Sequence, residues 1–238
     1  MIYAGIMAAG TGVRMHRQDL PKQFLPLGEK PIIINTLEQF YLNLNIDKII
    51  VVAPEAWKLF TADLINKHDA MGKDIAVITG GENKTVSVQM MVKHIESSWG
   101  VGDDDIIIIH DAVRPFITQR VIDENIAAAK QYGAASTVIT TGDTIIVSDN
   151  GSTISEIPYK RKMFAEQTPL TFNLKTLETV FLKAIEQGIS LNMETELARL
   201  YITQGNEMRL VQGEYSNMKI ITPYDLKIAN ALLVERKS

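Results

Sequence analysis

The sequence of 238 residues contains no cysteine. This absence excludes disulfide scaffolds, thiolate zinc sites and cysteine nucleophiles. A basic excess is also lacking, because 24 lysines and arginines stand against 28 aspartates and glutamates, for a formal charge of −4. Proteins that coat nucleic acid or anionic lipid usually carry the opposite balance. We therefore expect no nucleic-acid partner and no membrane partner, although a local basic pocket for a small phosphorylated ligand is compatible with this charge.

Long hydrophobic runs are missing as well. The longest uncharged stretch, residues 1–13, is too short to span a bilayer. It lacks a basic start and contains Gly10 and Gly12, which is not typical of a signal peptide. We expect a cytoplasmic protein. Because 46% of the residues are hydrophobic, the chain can bury a substantial core, and we expect a single domain spanning residues 1–238.

Short apolar runs rich in isoleucine and valine alternate with helix-like stretches. Runs without period-two alternation are typical of strands buried on both faces. Strand–helix alternation predicts an α/β fold with a mostly parallel central sheet and helices on both faces. In such sheets ligands bind at the carboxyl ends of the strands. The predicted strands are residues 2–9, 48–53, 75–79, 105–109 and 135–140, and the predicted helices are about 31–44, 57–68, 85–97 and 119–132.

The alternation breaks at residues 143–166. Here Asn150-Gly151 separates two β-prone runs, a strong hairpin signal that predicts an inserted β-arm. A lone hairpin is marginal in water, so we expect this arm to pack against another subunit. Beyond the arm, the pattern predicts helices from about Asn173 and about Glu194, a strand near 207–211 and a last helix capped by Thr222.

The loop after the first strand is the first candidate site. It contains Met7, Ala8, Ala9 and Gly10, and small residues there let backbone N–H groups approach an anion. Arg14 and Lys22 add two cations to the same region, which is what a triphosphate requires. A tight turn with solvated cations is the alternative. A dinucleotide-binding loop, and with it an NAD-dependent oxidoreductase, fits worse because Met15 occupies the place of the third glycine.

The second candidate is the segment from Gly80 to Val88, which follows a predicted strand and opens a helix. Gly81, Glu82, Thr85 and Ser87 could hold a base or a ribose there. Capping of the helix by Thr85 or Ser87 is the alternative. A Walker A loop fits worse, because Asn83 stands where that motif has glycine before the lysine.

The third candidate is Asp111, which ends a run of four isoleucines and His110. A carboxylate at the end of a buried strand is costly unless it is paired or bound to a metal, and Mg²⁺ accepts one or two carboxylates together with phosphate oxygens. Arg114 could bind an acceptor phosphate or form a structural ion pair with Asp111. We expect His110 to be a packed core histidine, and no Ser/His/Asp set is suggested.

A fourth group lies on or beside the arm and near the C-terminus. Thr144, Lys160 and Thr168 belong to the arm region, where the basic run around Lys160 would ordinarily be a solvated face. Lys219 sits between apolar residues, which is less ordinary for a surface lysine.

These segments, in this order, resemble the sugar- and polyol-phosphate cytidylyltransferases over nearly the whole chain. The family includes enzymes acting on 2-C-methyl-D-erythritol 4-phosphate in isoprenoid synthesis and on ribitol-5-phosphate in teichoic acid synthesis. The motifs that carry the resemblance are Ala-Ala-Gly-x-Gly-x-Arg-Met, Pro-Lys-Gln-Phe-Leu, Gly-Gly-x-x-Lys-x-x-Ser-Val, His-Asp-Ala-Val-Arg-Pro, Gln-Thr-Pro and Asn-Met-Lys-Ile.

The resemblance implies a Rossmann-like nucleotidyltransferase fold and a homodimer built through the arm. It implies that Arg14 and Lys22 stabilise charge on the α-phosphate of CTP and that Asp111 holds Mg²⁺. The implied nucleotide-binding residues are Met7, Ala8, Ala9, Gly10, Gly81, Glu82, Thr85 and Ser87. The implied acceptor-binding residues are Arg114, Thr144, Lys160, Thr168 and Lys219, with Thr144 and Lys160 contributed by the partner subunit.

Several positions bear on the acceptor. Lys84 and Lys160 stand where arginine is frequent in the family, and Glu194 stands where aspartate is usual. The opening Met-Ile-Tyr-Ala, the arm's Ile157-Pro158 and the segment 222–227 look more like the ribitol-phosphate branch, whereas Ala8-Ala9 looks more like the methylerythritol branch. We expect ribitol-5-phosphate, with methylerythritol phosphate as the alternative. An inactive nucleotide-binding module is a further alternative, against which the intact Arg14, Lys22, Asp111 and Lys219 argue.

Overall fold

A computed structural model describes residues 1–10, 20–68, 74–191 and 196–237. Arg14 and Glu194, both singled out from the sequence, lie outside these residues.

A seven-stranded sheet forms the centre of the molecule, and its strand order is β5-β4-β1-β6-β8-β7-β9. Neighbours β1, β4, β5 and β6 are mutually parallel, and so are β7 and β9, whereas β8 runs antiparallel to both β6 and β7. The remaining pair, β2 and β3, forms a small antiparallel ribbon. The strands are Ile2–Met7 (β1), Pro26–Leu27 (β2), Lys30–Pro31 (β3), Lys48–Ala53 (β4), Ile75–Thr79 (β5), Ile106–Asp111 (β6), Ala134–Thr140 (β7), Phe164–Asn173 (β8) and Arg209–Gln212 (β9).

Helices cover both faces of the sheet, as the apolar strands predicted. On one face Ala4 and Ile6 of β1 join a core that includes residues of α1 and α4, and on the other face Tyr3 joins residues of α3, α5 and α6. Burial on both faces is the reason why the strands are continuously apolar. The α-helices of the described residues are Ile32–Tyr41 (α1), Lys58–His68 (α2), Lys84–Trp99 (α3), Gln119–Tyr132 (α4), Leu174–Glu186 (α5), Leu197–Thr203 (α6) and Pro223–Lys237 (α7).

The Rossmann-like, mostly parallel sheet expected from the sequence is confirmed, and α5 and α7 begin where they were predicted. Asn173 caps α5 by accepting the Thr176 N–H at 2.9 Å. At α7, Thr222 Oγ1 accepts the Asp225 N–H at 3.2 Å and Asp225 Oδ2 accepts the Thr222 N–H at 2.8 Å, which is a reciprocal capping box. None of the helices in the described residues is both long and apolar enough to cross a bilayer.

The segment between β7 and β8 differs from the regular hairpin expected there. It turns at Asn150-Gly151, and Gly151 adopts a φ of +72°. Its two halves are joined by one antiparallel bridge, Val147 to Glu156, and neither half is a strand. Residues 164–166, counted as arm from the sequence, belong to β8. Within this described segment, the turn and the backbone hydrogen bonds at Val147 hold the two halves in register, and no further strand pairs with either half.

Candidate active site

A cleft of about 460 Å³ opens at the carboxyl ends of β1, β5 and β6. It brings together most of the residues that the sequence predicted for the nucleotide, together with Lys22, Asp111 and Lys219. The side chains of Thr85, Arg114 and Thr168 are outside its lining, although they lie beside it. The lining residues are Met7, Ala8, Ala9, Gly10, Lys22, Gln23, Gly81, Glu82, Asn83, Lys84, Ser87, Asp111, Val113 and Lys219.

Two loops meet closely at this cleft. The Ala8 N–H donates to Val52 O at 2.8 Å, which extends the pairing of β1 with β4 into the loop. At Gly80, a Cβ atom would lie 2.7 Å from Cβ of Ala9, closer than real carbon atoms approach. Glycine at this position therefore permits the loop after β5 to contact the loop after β1.

Lys22 is tied to the same loop through its neighbour. Lys22 is the first residue of a short 3-10 helix, Lys22–Phe24, and 91% of its surface is buried. The next residue, Gln23, is buried and donates from Nε2 to Ala8 O at 2.6 Å. This bond fixes the chain that carries Lys22 against the loop that was predicted to bind the nucleotide. Gln23 was not among the predicted site residues.

The start of α3 forms another wall of the cleft. Asn83 caps the helix by accepting the Val86 N–H on Oδ1 at 2.9 Å. Ser87 Oγ donates to Asn83 O at 2.7 Å and accepts the Gly81 N–H at 3.0 Å. The alternative in which Thr85 or Ser87 caps the helix is therefore wrong, because Asn83 does so. Ser87 instead shapes the turn at Gly81, and Thr85 is buried.

Asp111, the last residue of β6, lies among three cations. Its Oδ1 is 3.2 Å from Lys84 Nζ, and its Oδ2 is 3.1 Å from Lys219 Nζ and 3.2 Å from Arg114 Nε. Burial alone would raise the pKa of Asp111, but the charges of Lys84, Lys219 and Arg114 outweigh it and hold the pKa well below its usual range. The carboxylate is thus ionised, and the structural ion pair with Arg114 exists as part of a larger cluster.

His110 belongs to a buried hydrogen-bond chain. Its Nε2 faces Arg114 O at 3.0 Å and its Nδ1 faces Thr168 Oγ1 at 3.1 Å. Because a carbonyl oxygen only accepts, Nε2 carries the proton, Thr168 donates to Nδ1, and the Thr168 hydroxyl accepts the Asp111 N–H at 3.1 Å. Burial lowers the pKa of His110 to about 4. This neutral histidine positions Thr168 and the backbone of Asp111, which agrees with the core role predicted for it.

Thr144 and Lys160 are exposed on the arm and do not line the cleft. Lys160 Nζ donates to Gly142 O at 2.6 Å, at the base of the arm. The acceptor-binding roles of these two residues stay predictions.

The residues of the cleft fit magnesium that arrives together with a nucleotide. Asp111 and Glu82 are the two carboxylates in the described lining, and both oxygens of Asp111 already contact cations. Mg²⁺ is commonly held by one or two carboxylates and by substrate phosphates. A bound triphosphate could pair with Lys84 and Lys219, which would free the carboxylate oxygens of Asp111 for the ion. Its phosphate oxygens could supply further ligands of the magnesium. The described residues contain no cluster of three or more acidic or histidine ligands for a resident ion.

Comparison with known proteins decides the family. The family model described as 2-C-methyl-D-erythritol 4-phosphate cytidylyltransferase matches residues 2–235. The chain belongs to this family. It is accordingly a cytidylyltransferase, an enzyme that uses CTP and a phosphorylated sugar-like substrate, as the sequence motifs indicated.

Solved structures of the family are similar along the whole chain. The 4-diphosphocytidyl-2C-methyl-D-erythritol synthase of Anaerococcus prevotii is 26% identical, with a TM-score of 0.80, and the match covers 98% of this chain and 96% of that one. The 2-C-methyl-D-erythritol 4-phosphate cytidylyltransferase of Francisella tularensis is 27% identical, with a TM-score of 0.77 and coverage of 97% and 98%. The Thermus thermophilus enzyme, 24% identical with a TM-score of 0.74, covers 98% of both chains and supports the fold.

Proposed function

We propose that the protein transfers CMP from CTP to 2-C-methyl-D-erythritol 4-phosphate and releases pyrophosphate. The family match over residues 2–235 carries this proposal, and the names of the Anaerococcus and Francisella relatives support it. The comparisons favour this acceptor over ribitol-5-phosphate, which the sequence alone had led us to prefer. The features behind that preference lie at the N-terminus, in the arm and in α7, whereas Ala8 and Ala9 line the cleft.

In the proposed reaction an oxygen of the acceptor phosphate attacks the α-phosphorus of CTP in line. The new P–O bond forms as the bond from the α-phosphorus to the bridging oxygen breaks, and pyrophosphate leaves. Because the acceptor phosphate is a dianion, no general base is needed, which agrees with a buried, neutral His110. Catalysis then rests on positioning and on stabilisation of charge.

We assign the charge stabilisation to Lys22 and Arg14, and the acceptor phosphate to Arg114 and Lys219. Backbone N–H groups of the loops at Ala8–Gly10 and at Gly81 would hold the nucleotide. Asp111 would hold Mg²⁺, which supplies further neutralisation of the phosphates when it is bound. For Lys84 and Lys219 to engage phosphates, each must leave the carboxylate of Asp111, which they contact in the structure.

The acceptor is tested by parallel assays of pyrophosphate release. The protein is incubated with CTP, Mg²⁺ and either 2-C-methyl-D-erythritol 4-phosphate or ribitol-5-phosphate. We expect rapid release with the first acceptor and at least about tenfold lower kcat/KM with the second, an amount that corresponds to roughly 1.4 kcal/mol. The opposite preference would overturn the proposed acceptor. Efficient replacement of CTP by UTP or ATP would overturn the assignment of the base-binding loops.

We also propose that the protein is a homodimer built through the arm, residues 143–166. Ile146, Ile154 and Ile157 on the arm are each more than half exposed, and clustered exposed apolar side chains are typical of an interface. Replacing Ile154 and Ile157 by aspartate should convert a dimer to a monomer in analytical ultracentrifugation. Ile202→Asp, at an equally exposed isoleucine on α6, is the matched control, and a shift in both variants or in neither would contradict the assignment.

A further inference from the structure

Asn217 lies in the loop between β9 and α7 and is fully buried. Its Nδ2 donates to Thr168 O at 2.8 Å and to Gln167 Oε1 at 3.2 Å, and its backbone N–H donates to Glu214 O at 3.0 Å. Oδ1 of Asn217 has no hydrogen-bond partner among the described residues. A buried polar atom without a partner costs stability. Any favourable contribution of the polar side chain therefore comes from the two hydrogen bonds of its Nδ2.

The hydrogen bonds of Asn217 lead to Arg114 and Thr168 beside the cleft and, along the chain, to Lys219 in its lining; the sequence predicted all three for the acceptor. Nη1 of Arg114 donates to Asn217 O at 2.8 Å, while Nδ2 of Asn217 holds the backbone of Thr168. Lys219 follows two residues later, and its Nζ is 3.1 Å from Asp111 Oδ2. One buried residue therefore connects β8, the loop after β6 and the loop that carries Lys219.

The hydrogen bonds of Asn217 restrict the positions of the two cationic side chains, Arg114 and Lys219. The loop is fixed before Lys219 by Asn217 and after it by the Ile220 N–H, which donates to Val113 O at 2.9 Å. The guanidinium of Arg114 is held at one end by Asn217 O and at the other by Asp111. Binding an anion requires both a loop and its cationic side chain to be ordered, and anchoring the backbone on either side of Lys219 removes the loop's share of that entropic cost before binding.

We propose that Asn217 is a positioning residue for the acceptor phosphate, acting through Arg114, Thr168 and Lys219. This inference rests on the proposed function, because it takes those residues as the acceptor site. Among the described residues, the hydrogen bonds of Asn217 reach neither Ala8–Gly10 nor the loop at Gly81. An alanine variant keeps the backbone carbonyl that accepts from Arg114 but loses the side-chain bonds to Thr168 O and Gln167 Oε1, which hold this loop. Loss of the side chain should therefore weaken use of the acceptor and leave use of CTP nearly unchanged.

The test compares Asn217→Ala with Asn125→Ala in steady-state assays with CTP and methylerythritol phosphate. Asn125 is also fully buried; its Nδ2 donates to Val121 O and Thr137 Oγ1, and its Oδ1 is likewise without a hydrogen-bond partner in the described chain. It is a matched control for loss of a buried asparagine. We expect the KM for the acceptor to rise at least about tenfold in Asn217→Ala, with the KM for CTP within threefold of wild type. Both constants should stay within about twofold in Asn125→Ala.

An unchanged acceptor KM in Asn217→Ala, an equal rise in both KM values, or the same acceptor effect in Asn125→Ala would overturn the inference. If Asn217→Ala does not accumulate as folded protein, Asn217→Ser is measured against the same criteria, since it keeps a short donor. Turnover by the wild type distinguishes failure of this inference from failure of the proposed function. A wild type active only on ribitol-5-phosphate overturns the proposed acceptor, and the variants are then measured with that substrate. A wild type inactive with both acceptors overturns the proposed function and this inference together.

Discussion

Replacing Asp111 by asparagine removes one negative charge from the centre of a cluster of three cations. The shape of the side chain is nearly preserved, so the experiment isolates the charge. At the observed separations of 3.1–3.2 Å and an effective dielectric constant of about 20, each contact corresponds to about 5 kcal/mol of Coulomb energy before desolvation is counted. The net loss is far smaller, because transferring the carboxylate out of water offsets most of that energy.

Removing one partner of a buried ion pair generally costs about 3–5 kcal/mol. The side chains of Lys84 and Lys219 are each 35% exposed and can turn towards solvent, whereas that of Arg114 is 11% exposed and is held by Asn217. We therefore expect the free energy of unfolding to fall by an amount at the lower end of this range, about 3 kcal/mol. For a chain of this size that corresponds to a fall in Tm of about 6–12 °C.

Calorimetry with and without pyrophosphate checks this prediction. Because the variant leaves three cations without their carboxylate, pyrophosphate should raise the Tm of Asp111→Asn more than that of the wild type. Glu124→Gln is the control, since Glu124 pairs with Arg120 at an exposed site and exposed pairs contribute about 0.2–1 kcal/mol. A Tm of Asp111→Asn equal to that of wild type, or an equal response of both proteins to pyrophosphate, would refute the electrostatic reasoning.

Two further predictions concern catalysis and pH. Lys22→Ala, and equally Arg14→Ala, should lower kcat about 100-fold or more without unfolding the protein, because a group aimed at transition-state charge contributes about 2.7–4 kcal/mol; near-normal turnover would remove the assigned role. Burial, assisted by Asp105 and Asp47, raises the pKa of Tyr3 to about 12. The unfolded chain then releases this proton first, so stability should fall by about 1.4 kcal/mol from pH 9 to pH 11. Urea unfolding should show a smaller fall in Tyr3→Phe, and identical falls would contradict the assignment.

The sequence predicted the parallel half of the sheet because its strands are buried on both faces and therefore read as uninterrupted apolar runs. This pattern did not predict strand β8. It begins with three exposed residues, of which Glu166 is charged, and contains Pro169, and charge and proline both weaken a strand prediction. Its pairing partners, β6 and β7, lie far from it in the sequence, and only the fold reveals them.

Most of the residues predicted for the nucleotide line one cleft, and the sequence indicated them because small residues and cations cluster in those loops. The contacts of Lys84 and Asn217 were not, since they join residues 27 and 49 positions apart and no local pattern reports such pairs. Lys84 was singled out as a departure from the family, but its bond to Asp111 needed the structure. In the arm, the Asn150-Gly151 pair predicted the turn correctly. It could not show that the two halves are joined by a single bridge instead of forming regular strands.

The antiparallel strand β8 has a consequence for how this fold can vary. From Leu170 to Phe172 it is paired on both sides, whereas residues 164–166 pair with β7 alone. The part of β8 that pairs with both β6 and β7 is fixed inside the sheet. Thr168 lies between this part and residues 164–166, beside His110. Insertions and deletions in the preceding arm would therefore leave Thr168 and the cleft beside it in place during evolution, and their effects would fall on the contacts that the arm itself makes, including those predicted for Thr144 and Lys160.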